Sequence, residues 1–510
     1  MGSRLLGLLL AGSALTGWVG GEIVNNPNSG AEADWAETIL ASAKGTSPLM
    51  CALASRSVDG RFGWGGYGPP GMEDTSAALR WVYHRKPTED AVPALVAGLS
   101  DQDACVQSIS ARLLARIDAP SATRGILQAL ASSTAATRIA ASVSLGLGGV
   151  EAGLNPLIER LRDGTSEVRA VAAWALGALD NGRAVPPLRE VLRDGAAPVR
   201  AAAATALGRL DDSSAVNGLA RLLKSDPDER VRLAAAQALG RLGARSSSEA
   251  LSAGLGDKSA AVRRACAWAL GNLGIPETGP AVAKAMDDAD WEVREMATWA
   301  VVQLGKGASV TALGRRATTD ERAEVRRTAA WGLGSIEDRA AVEPLVTVLR
   351  SDRDRDVRRM AAWGLGQLDD QRGVTALTAA LQDSSSDVRG VAAWALGQIK
   401  PDRAPPALIA AVRDSDRDVR KRAAWALGKI EDPASVKSLR DAMRDPDGEV
   451  RKTVLWALSQ MDDEAARDAI VEQLKSDDPA VRADAARSLG HMRQNPWPWP
   501  SPMPMPRPFP

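Results

Sequence analysis

The feature that most constrains the fold of this chain is a repeat of 31 or 32 residues. Its marker is the dipeptide Val-Arg, which begins at Val168, Val199, Val231, Val262, Val293, Val325, Val357, Val388, Val419, Val450 and Val481. Stepping back by 31 residues reaches degenerate copies that begin at Thr137, Val106 and Thr75. Fourteen copies then cover residues 72–494. The length of 510 residues therefore reflects the number of repeats and not a number of separate domains.

Each copy is predicted to form two helices. Within residues 184–210, Pro186 and Pro187 fall where the first turn of a helix tolerates proline. Asp194-Gly195 breaks this first helix, and Val199 begins a second helix that is predicted to stop at Gly208. No segment shows the alternation of a strand. Because one helix pair cannot bury both of its faces, stacking is required. The sequence predicts an all-α fold, an α-solenoid of about 13–14 two-helix repeats.

Charged residues recur in register with the Val-Arg pair. With Val as position 0, Asp recurs at position −5 and Arg at position +1, and Ala-Ala-x-Ala-Leu-Gly follows. This pattern resembles HEAT repeats, and the short period resembles the subtype called PBS-lyase HEAT-like repeats. In that family the Asp and Arg side chains bond within and between repeats. The resemblance therefore implies a structural ladder, and a charged track for a ligand is the alternative. The ladder includes Asp163, Arg169, Asp257, Arg263, Asp352, Arg358, Asp414 and Arg420.

Tryptophan is strongly enriched among the aromatic residues, with 15 Trp against 2 Phe and 2 Tyr. Position +6 holds what we call the tryptophan row: Trp174, Trp268, Trp299, Trp331, Trp363, Trp394, Trp425 and Trp456. Trp81 falls at the same offset in the first degenerate copy. On a helical wheel, position +6 lies about 140° from the core stripe and next to polar positions +2 and +10. The family resemblance places such second helices on the concave side of the solenoid.

Two interpretations of the tryptophan row stay open. Each indole could lie flat on the neighbouring second helix and hold the stack together. The row could also form a partner-binding surface, since exposed apolar surface and tryptophan both mark interaction sites. Seven consecutive rows at helix spacings would span about 50–60 Å, which suits a protein or an extended peptide better than a metabolite.

The segments outside the repeats carry their own predictions. Residues 1–21 have one charge, a short apolar run and small residues, as in a secretory signal, so the protein is expected to be exported; a cytoplasmic location is the alternative. Residues 22–71 are predicted to be a linker or cap with a Gly-rich loop that lacks the Lys of a P-loop. Residues 495–510 have Pro at every second position from 496 and are predicted to be disordered. This Pro-rich tail could instead dock on the aromatic face, in cis or in trans.

Composition limits the chemistry. Lys+Arg and Asp+Glu are both 63, which argues against nucleic acid as a partner. Two His and three Cys leave too few ligands for a Cys/His metal site, and no stretch after residue 21 is long enough for a stable membrane span. Cys266 stands at a core position, whereas pairing of Cys51 with Cys105 stays open.

The sequence thus predicts a non-enzymatic scaffold with no cofactor. The subtype resemblance leaves two alternatives, a bilin lyase or its chaperone subunit, and a regulatory repeat segment associated with a bacterial membrane peptidase. The lyase alternative predicts a coloured adduct when bilin is supplied. The peptidase alternative is unsupported by any metalloprotease motif.

Overall fold

The computed structural model describes residues 36–45 except 38 and 42, 87–305, 309–477 and 479–490. The predicted secretory signal, the Gly-rich loop, Trp81, Cys51 and the Pro-rich segment 495–510 lie outside the described residues. The chain forms two compact units, which we call the first unit, ending at Ala269, and the second unit, beginning at Leu270. The division falls within the helix Ala260–Leu273.

The first unit is a stack of helix pairs. Its first helices are Val92–Gly98, Pro120–Leu130, Leu154–Arg160, Val185–Glu190, Val216–Ser225 and Ser248–Gly254. Its second helices, before the one that contains the division, are Ala104–Leu114, Ala135–Gly148, Ser166–Ala178, Ala197–Arg209 and Glu229–Leu242. Short 3-10 turns flank the first helices at Glu89–Ala91, Glu151–Gly153, Gly182–Ala184, Val191–Arg193, Ser213–Ala215 and Arg245–Ser247.

The second unit repeats the arrangement. Its first helices are Gly279–Ala285, Val310–Thr319, Val342–Ser351, Val374–Ala380, Pro406–Ala410, Val436–Ala442 and Glu464–Gln473. Its second helices are Trp291–Gln303, Ala323–Ser335, Arg355–Leu368, Ser386–Ile399, Arg417–Ile430, Gly448–Gln460 and Pro479–Gly490. Its 3-10 turns are Pro276–Thr278, Arg339–Ala341, Gln371–Gly373, Ala411–Arg413 and Pro433–Ser435. With thirteen helix pairs and no strand among the described residues, the predicted α-solenoid is confirmed.

The core of each repeat follows the apolar stripe of the second helix. In the helix Arg355–Leu368, Val357, Ala361 and Leu365 stand at positions 0, +4 and +8 and are at most 1% exposed. Asp354 begins this helix by accepting the backbone N–H groups of residues 356 and 357. Small Ala and branched Leu and Val fill the space between helices, so the core requires few large aromatic residues.

Helix ends show a backbone feature that the sequence does not reveal. Position +12, just beyond most of the second helices, adopts positive φ, and it is Gly in some repeats, such as Gly243 (φ 60), but not in others. The non-glycine residues in this conformation are Asp180, Asp211, Glu337, Asp369, Lys400 and Glu431. Left-handed backbone costs an L-residue about 1 kcal/mol, so these repeats carry local strain.

Replacing Glu337 by glycine is expected to raise the free energy of unfolding by about 0.5–1 kcal/mol, because glycine adopts its φ of 52° without steric cost. Glu337 is exposed, so few other contacts are lost. Urea denaturation of both proteins measures the change. The matched control is Gly243→Ala, which introduces the same strain and should lower stability by about 1 kcal/mol. A destabilising Glu337→Gly substitution would contradict this explanation.

The two cysteines in the described part of the chain differ in state. Cys266 is free and fully buried, and burial raises the pKa of its thiol. Cys105 is disulfide-bonded, while Cys51 lies outside the described residues. Among the residues that the structure describes, no helix combines the length and apolar character that crossing a membrane requires.

Candidate functional site

The tryptophan row lies between successive second helices rather than on open surface. In the second unit, Trp331, Trp363 and Trp394 are 6%, 4% and 9% exposed. The remaining members are half-buried: Trp299, Trp425 and Trp456 in the second unit, and Trp174 and Trp268 in the first. Each indole therefore has a packed edge, and five of the eight also present part of the ring to solvent.

The packed edge of the indole rests on a glycine at position +9 of the preceding repeat. An ideal Cβ built on Gly366 would lie 2.8 Å from Cζ3 of Trp394 and 2.9 Å from Cβ of Ala395. Real Cβ atoms almost never approach so closely, so only glycine permits this contact. The same contact occurs for Gly146–Trp174 and Gly240–Trp268 in the first unit, and for Gly271–Trp299, Gly334–Trp363, Gly397–Trp425 and Gly428–Trp456 in the second.

The junction between the second helices Trp291–Gln303 and Ala323–Ser335 lacks the glycine at position +9. Val302 takes position +9 there, and Gly332 replaces the usual Ala at position +7 of the following repeat. A Cβ on Gly332 would lie 2.6 Å from Cγ2 of Val302, so the two substitutions compensate each other. At this junction the buried Nε1 of Trp331 has no hydrogen-bond partner.

Sequence reasoning missed the role of these glycines. It predicted Gly208 as the stop of a second helix, but the helix continues through it as Ala197–Arg209. A Cβ on Gly208 would lie 2.7 Å from Cα of Ala238, so the glycine allows the next helix to approach closely. The available signal was the fixed distance between Gly at +9 and Trp at +6 of the next repeat.

Basic side chains flank the tryptophan row in the second unit. We call them the basic row: at positions +2, +3 and +10 they are Arg327, Arg359, Lys421, Arg422, Lys429 and Lys452. All six are half-buried or exposed. Between residues 325 and 460, these three positions hold no acidic residue, although the whole chain has no net charge. Acidic residues stand at position −1 of the same helices, and two of them pair with the basic row: Asp356 with Arg359 over 3.2 Å and Glu449 with Lys452 over 2.9 Å.

The flanking charges are partly desolvated. Burial and the nearby Lys400 lower the pKa of Lys429. In the neighbouring repeat to the N-terminal side of the basic row, burial raises the pKa of Glu295, which accepts a hydrogen bond from Oγ1 of Thr328 over 3.3 Å. Arg422 lies across Gly390, whose ideal Cβ would be 2.7 Å from Nη1 of Arg422. A partly desolvated charged group gains more interaction energy from a ligand of opposite charge than a fully hydrated group does.

The Asp and Arg residues at positions −5 and +1 bind each other. Nε and Nη2 of Arg294 donate to the two carboxylate oxygens of Asp320 over 2.9 and 3.0 Å. Nη1 of Arg294 donates to the backbone oxygen of Asp288 over 3.0 Å. In the second unit, the same bidentate contact joins Arg326–Asp352, Arg358–Asp383, Arg389–Asp414 and Arg420–Asp445. In the first unit it joins Arg138–Asp163, Arg169–Asp194, Arg200–Asp226 and Arg232–Asp257.

Each ladder Asp also stabilises the loop that precedes its second helix. Oδ1 of Asp320 accepts the backbone N–H of Arg322 over 3.0 Å. Burial raises the pKa of Asp320, but the hydrogen bonds from Arg294 and from this backbone group outweigh it and hold the pKa below its usual range. Nη1 of Arg263 donates to the backbone oxygen of Asp257 over 2.9 Å, which is the contact within a repeat. The charged groups of the ladder are therefore already bound by other groups of the protein.

Degenerate repeats retain parts of this pattern. Nε2 of Gln107 donates to the backbone oxygen of Asp101 over 2.7 Å, as a ladder Arg would. Ser132, at the position of the ladder Asp, accepts the backbone N–H of Thr134 over 3.1 Å. Within the described ranges, no group of three or more His, Cys, Asp or Glu side chains could hold a metal ion.

Comparisons with known proteins define the class. The HEAT-repeat signature matches residues 154–240, 248–334, 310–389, 374–458 and 439–496. The chain therefore belongs to the HEAT-repeat family. The PBS lyase HEAT-like repeat signature matches residues 231–257, which confirms the resemblance to that subtype. No curated protein sequence matches the chain.

Two solved structures of Kap95p show the same fold at low sequence identity. Kap95p in complex with RanGDP is 15% identical over 91% of this chain and 72% of that chain, with a TM-score of 0.54. Yeast importin-beta (Kap95p) is 14% identical over the same shares, with a TM-score of 0.50. The CpcE–CpcF complex of the phycocyanin lyase from Nostoc sp. PCC7120 is 26% identical over 44% of this chain and 91% of that chain, with a TM-score of 0.30.

Proposed function

We propose that this protein is a non-enzymatic scaffold that binds an acidic protein segment or extended peptide on the second-helix face of its second unit. The observation that carries the proposal is the basic row beside the tryptophan row. The ladder arginines lie in buried pairs with aspartates of neighbouring repeats, whereas the ion pairs Arg359–Asp356 and Lys452–Glu449 of the basic row are accessible to solvent. Carboxylates of a partner would compete for the accessible basic groups of this row.

The tryptophan row supports this proposal in a limited way. The packed members of the row, Trp331, Trp363 and Trp394, offer little surface to a partner. The half-buried Trp425 and Trp456 lie on the same helices as Lys421 and Lys452 and present part of their rings. A partner can therefore make apolar contacts at the C-terminal end of this face. It can make charge contacts with the basic row over a longer part of the face.

The fold supports protein binding in general terms. In the solved complex of the same fold, Kap95p binds RanGDP. Repeat stacks offer extended surfaces because each repeat adds one helix to a continuous face. An extended segment that runs along successive second helices makes use of this geometry.

An exported location fits the state of Cys105. Disulfides persist mainly in oxidising compartments, and Cys105 is disulfide-bonded. This agrees with the signal predicted in residues 1–21, so the partner is proposed to be met outside the cytoplasm.

Charge reversal in the basic row is expected to weaken binding of an acidic peptide at least about tenfold, because exposed ion pairs contribute about 0.2–1 kcal/mol each and reversal adds repulsion. The variant combines Arg327→Glu, Arg359→Glu and Lys421→Glu. The probe is a fluorescein-labelled oligo-glutamate peptide, followed by fluorescence anisotropy at low salt. Binding by the unaltered protein should also weaken as salt is added.

The matched control reverses three exposed basic residues on first helices of the same unit, as Arg350→Glu, Lys437→Glu and Arg440→Glu. Both variants change the net charge equally, so the control isolates position from total charge. Equal weakening in the two variants, or no binding of the peptide by the unaltered protein, would rule out the proposed face.

A further inference from the structure

The last repeat of the second unit presents a face that earlier repeats bury. At position −7, on the first helix or just after it, Leu381, Val412 and Met443 are 3%, 2% and 5% exposed. Leu474 holds the same position in the last repeat and is 38% exposed. With Val471, at 41%, it is one of two exposed large hydrophobic residues in the described part of the chain. The difference arises because no further described repeat covers this side.

The second helix of the last repeat shows the same difference. Ala at position +5 is fully buried in earlier repeats, as at Ala393 and Ala424, whereas Ala486 is exposed. Ala483, at position +2, is exposed as well. At position +5 the last repeat therefore retains the small residue that is buried elsewhere in the second unit.

Gly490 gives the most specific sign of a missing neighbour. It stands at position +9, where glycine permits close contact with the next element. At Gly366, Gly397 and Gly428 an ideal Cβ would meet an indole Cζ3 of the following repeat at 2.7–2.8 Å. At Gly490 nothing lies within 4 Å of that position. The preceding repeat, by contrast, has Ser459 at position +9, and no tryptophan follows it at +6.

We infer that residues 491–510 of the same chain cover this face and place the indole of Trp497 or Trp499 on Gly490. The segment begins directly after Gly490 and contains Trp, Met and Phe between its prolines. Seven extended residues reach about 23 Å, well beyond the 8–10 Å that separates packed helices. Alternating proline prevents another helix, so the segment docks in extended form. This capping contact is separate from the proposed partner face.

The contact is tested by whether replacing Gly490 by alanine slows or accelerates amide hydrogen exchange in the last repeat. If nothing covers Gly490, the Gly490→Ala substitution should leave amide exchange unchanged or slow it, because alanine has a higher helix propensity than glycine. If an indole covers Gly490, the added Cβ displaces it, and amide hydrogen exchange of residues 464–490 in the full chain should accelerate about tenfold. The matched references are Gly428→Ala, which must disturb a contact that is present, and Gly195→Ala, which has nothing within 4 Å.

The double variant Trp497→Ala/Trp499→Ala should accelerate the same amides to a similar extent. Both effects should be independent of protein concentration, because the contact lies within one chain. Unchanged or slower exchange in the Gly490→Ala variant would overturn the inference, as would no effect of the tryptophan substitutions. Protection that disappears on dilution would overturn it in favour of a second copy on this face.

Discussion

Replacing Asp320 by alanine is expected to lower the free energy of unfolding by about 3–5 kcal/mol, because it leaves the buried Arg294 guanidinium without its partner. The two side chains are 1% and 8% exposed. The carboxylate also accepts the backbone N–H of Arg322 and a hydrogen bond from Arg316, so one substitution removes several contacts. Equilibrium unfolding in urea measures the loss.

The loss should depend on pH. The pKa of Asp320 is held below its ordinary value in the folded protein, against the effect of burial, by Arg294 and a backbone N–H. A carboxyl group with a depressed folded pKa stabilises the fold above its unfolded pKa, and this contribution is lost as pH falls through the folded pKa. The difference between wild type and Asp320→Ala should therefore be full at neutral pH and shrink below about pH 4.

The control for this substitution is Asp441→Ala in the same unit. Asp441 pairs with Arg413 over 2.7 Å, but the side chains are 45% and 64% exposed. Exposed pairs contribute at most about 1 kcal/mol, so the effect should be small. Similar losses of unfolding free energy in the Asp320→Ala and Asp441→Ala variants would show that burial of the ladder pair does not determine its contribution to stability.

Replacing Gly366 by valine is expected to lower the free energy of unfolding by about 2–3 kcal/mol. The new Cβ would stand 2.8 Å from Cζ3 of Trp394 and 2.9 Å from Cβ of Ala395, which forces the two second helices apart. Valine has higher helix propensity than glycine, so local preference alone predicts a small gain. The sign of the change therefore separates close packing from propensity.

Much of the fold could be predicted from the sequence, because the repeat fixes the spacing of every element. The Val-Arg register located the second helices, and the family resemblance implied that the Asp and Arg side chains bond between repeats. Arg358 indeed donates to Asp383 of the next repeat over 2.7 Å. Periodic sequences permit such inferences because each junction repeats the same contacts.

The site could be predicted only in part. A helical wheel shows that the tryptophan row leaves the core stripe, but it does not show how far the next helix leans over each ring. Exposure varies from 4% at Trp363 to half-buried at Trp425, although both share position +6. The compensation of Val302 by Gly332 depends on two residues thirty positions apart, which single-helix patterns do not connect.

Positive backbone φ at Glu337 escaped prediction for a different reason. Glycine is the usual signal for that conformation, and here an acidic residue adopts it because the flanking helices fix the turn. The open face of the last repeat was also not evident, since Leu474 and Gly490 follow the same pattern as their buried counterparts.

The most direct test of the central claim, that reciprocal small residues allow successive second helices and their tryptophans to pack closely, is a double-mutant cycle at one junction of the second unit. The cycle combines Gly366→Val with Ala395→Gly, which copies the natural Val302–Gly332 pair, and reads the free energy of unfolding in urea. The account predicts that Ala395→Gly restores part of the stability lost in Gly366→Val, with a favourable coupling of at least about 1 kcal/mol. Additive losses, with a coupling within about 0.5 kcal/mol of zero, would contradict it.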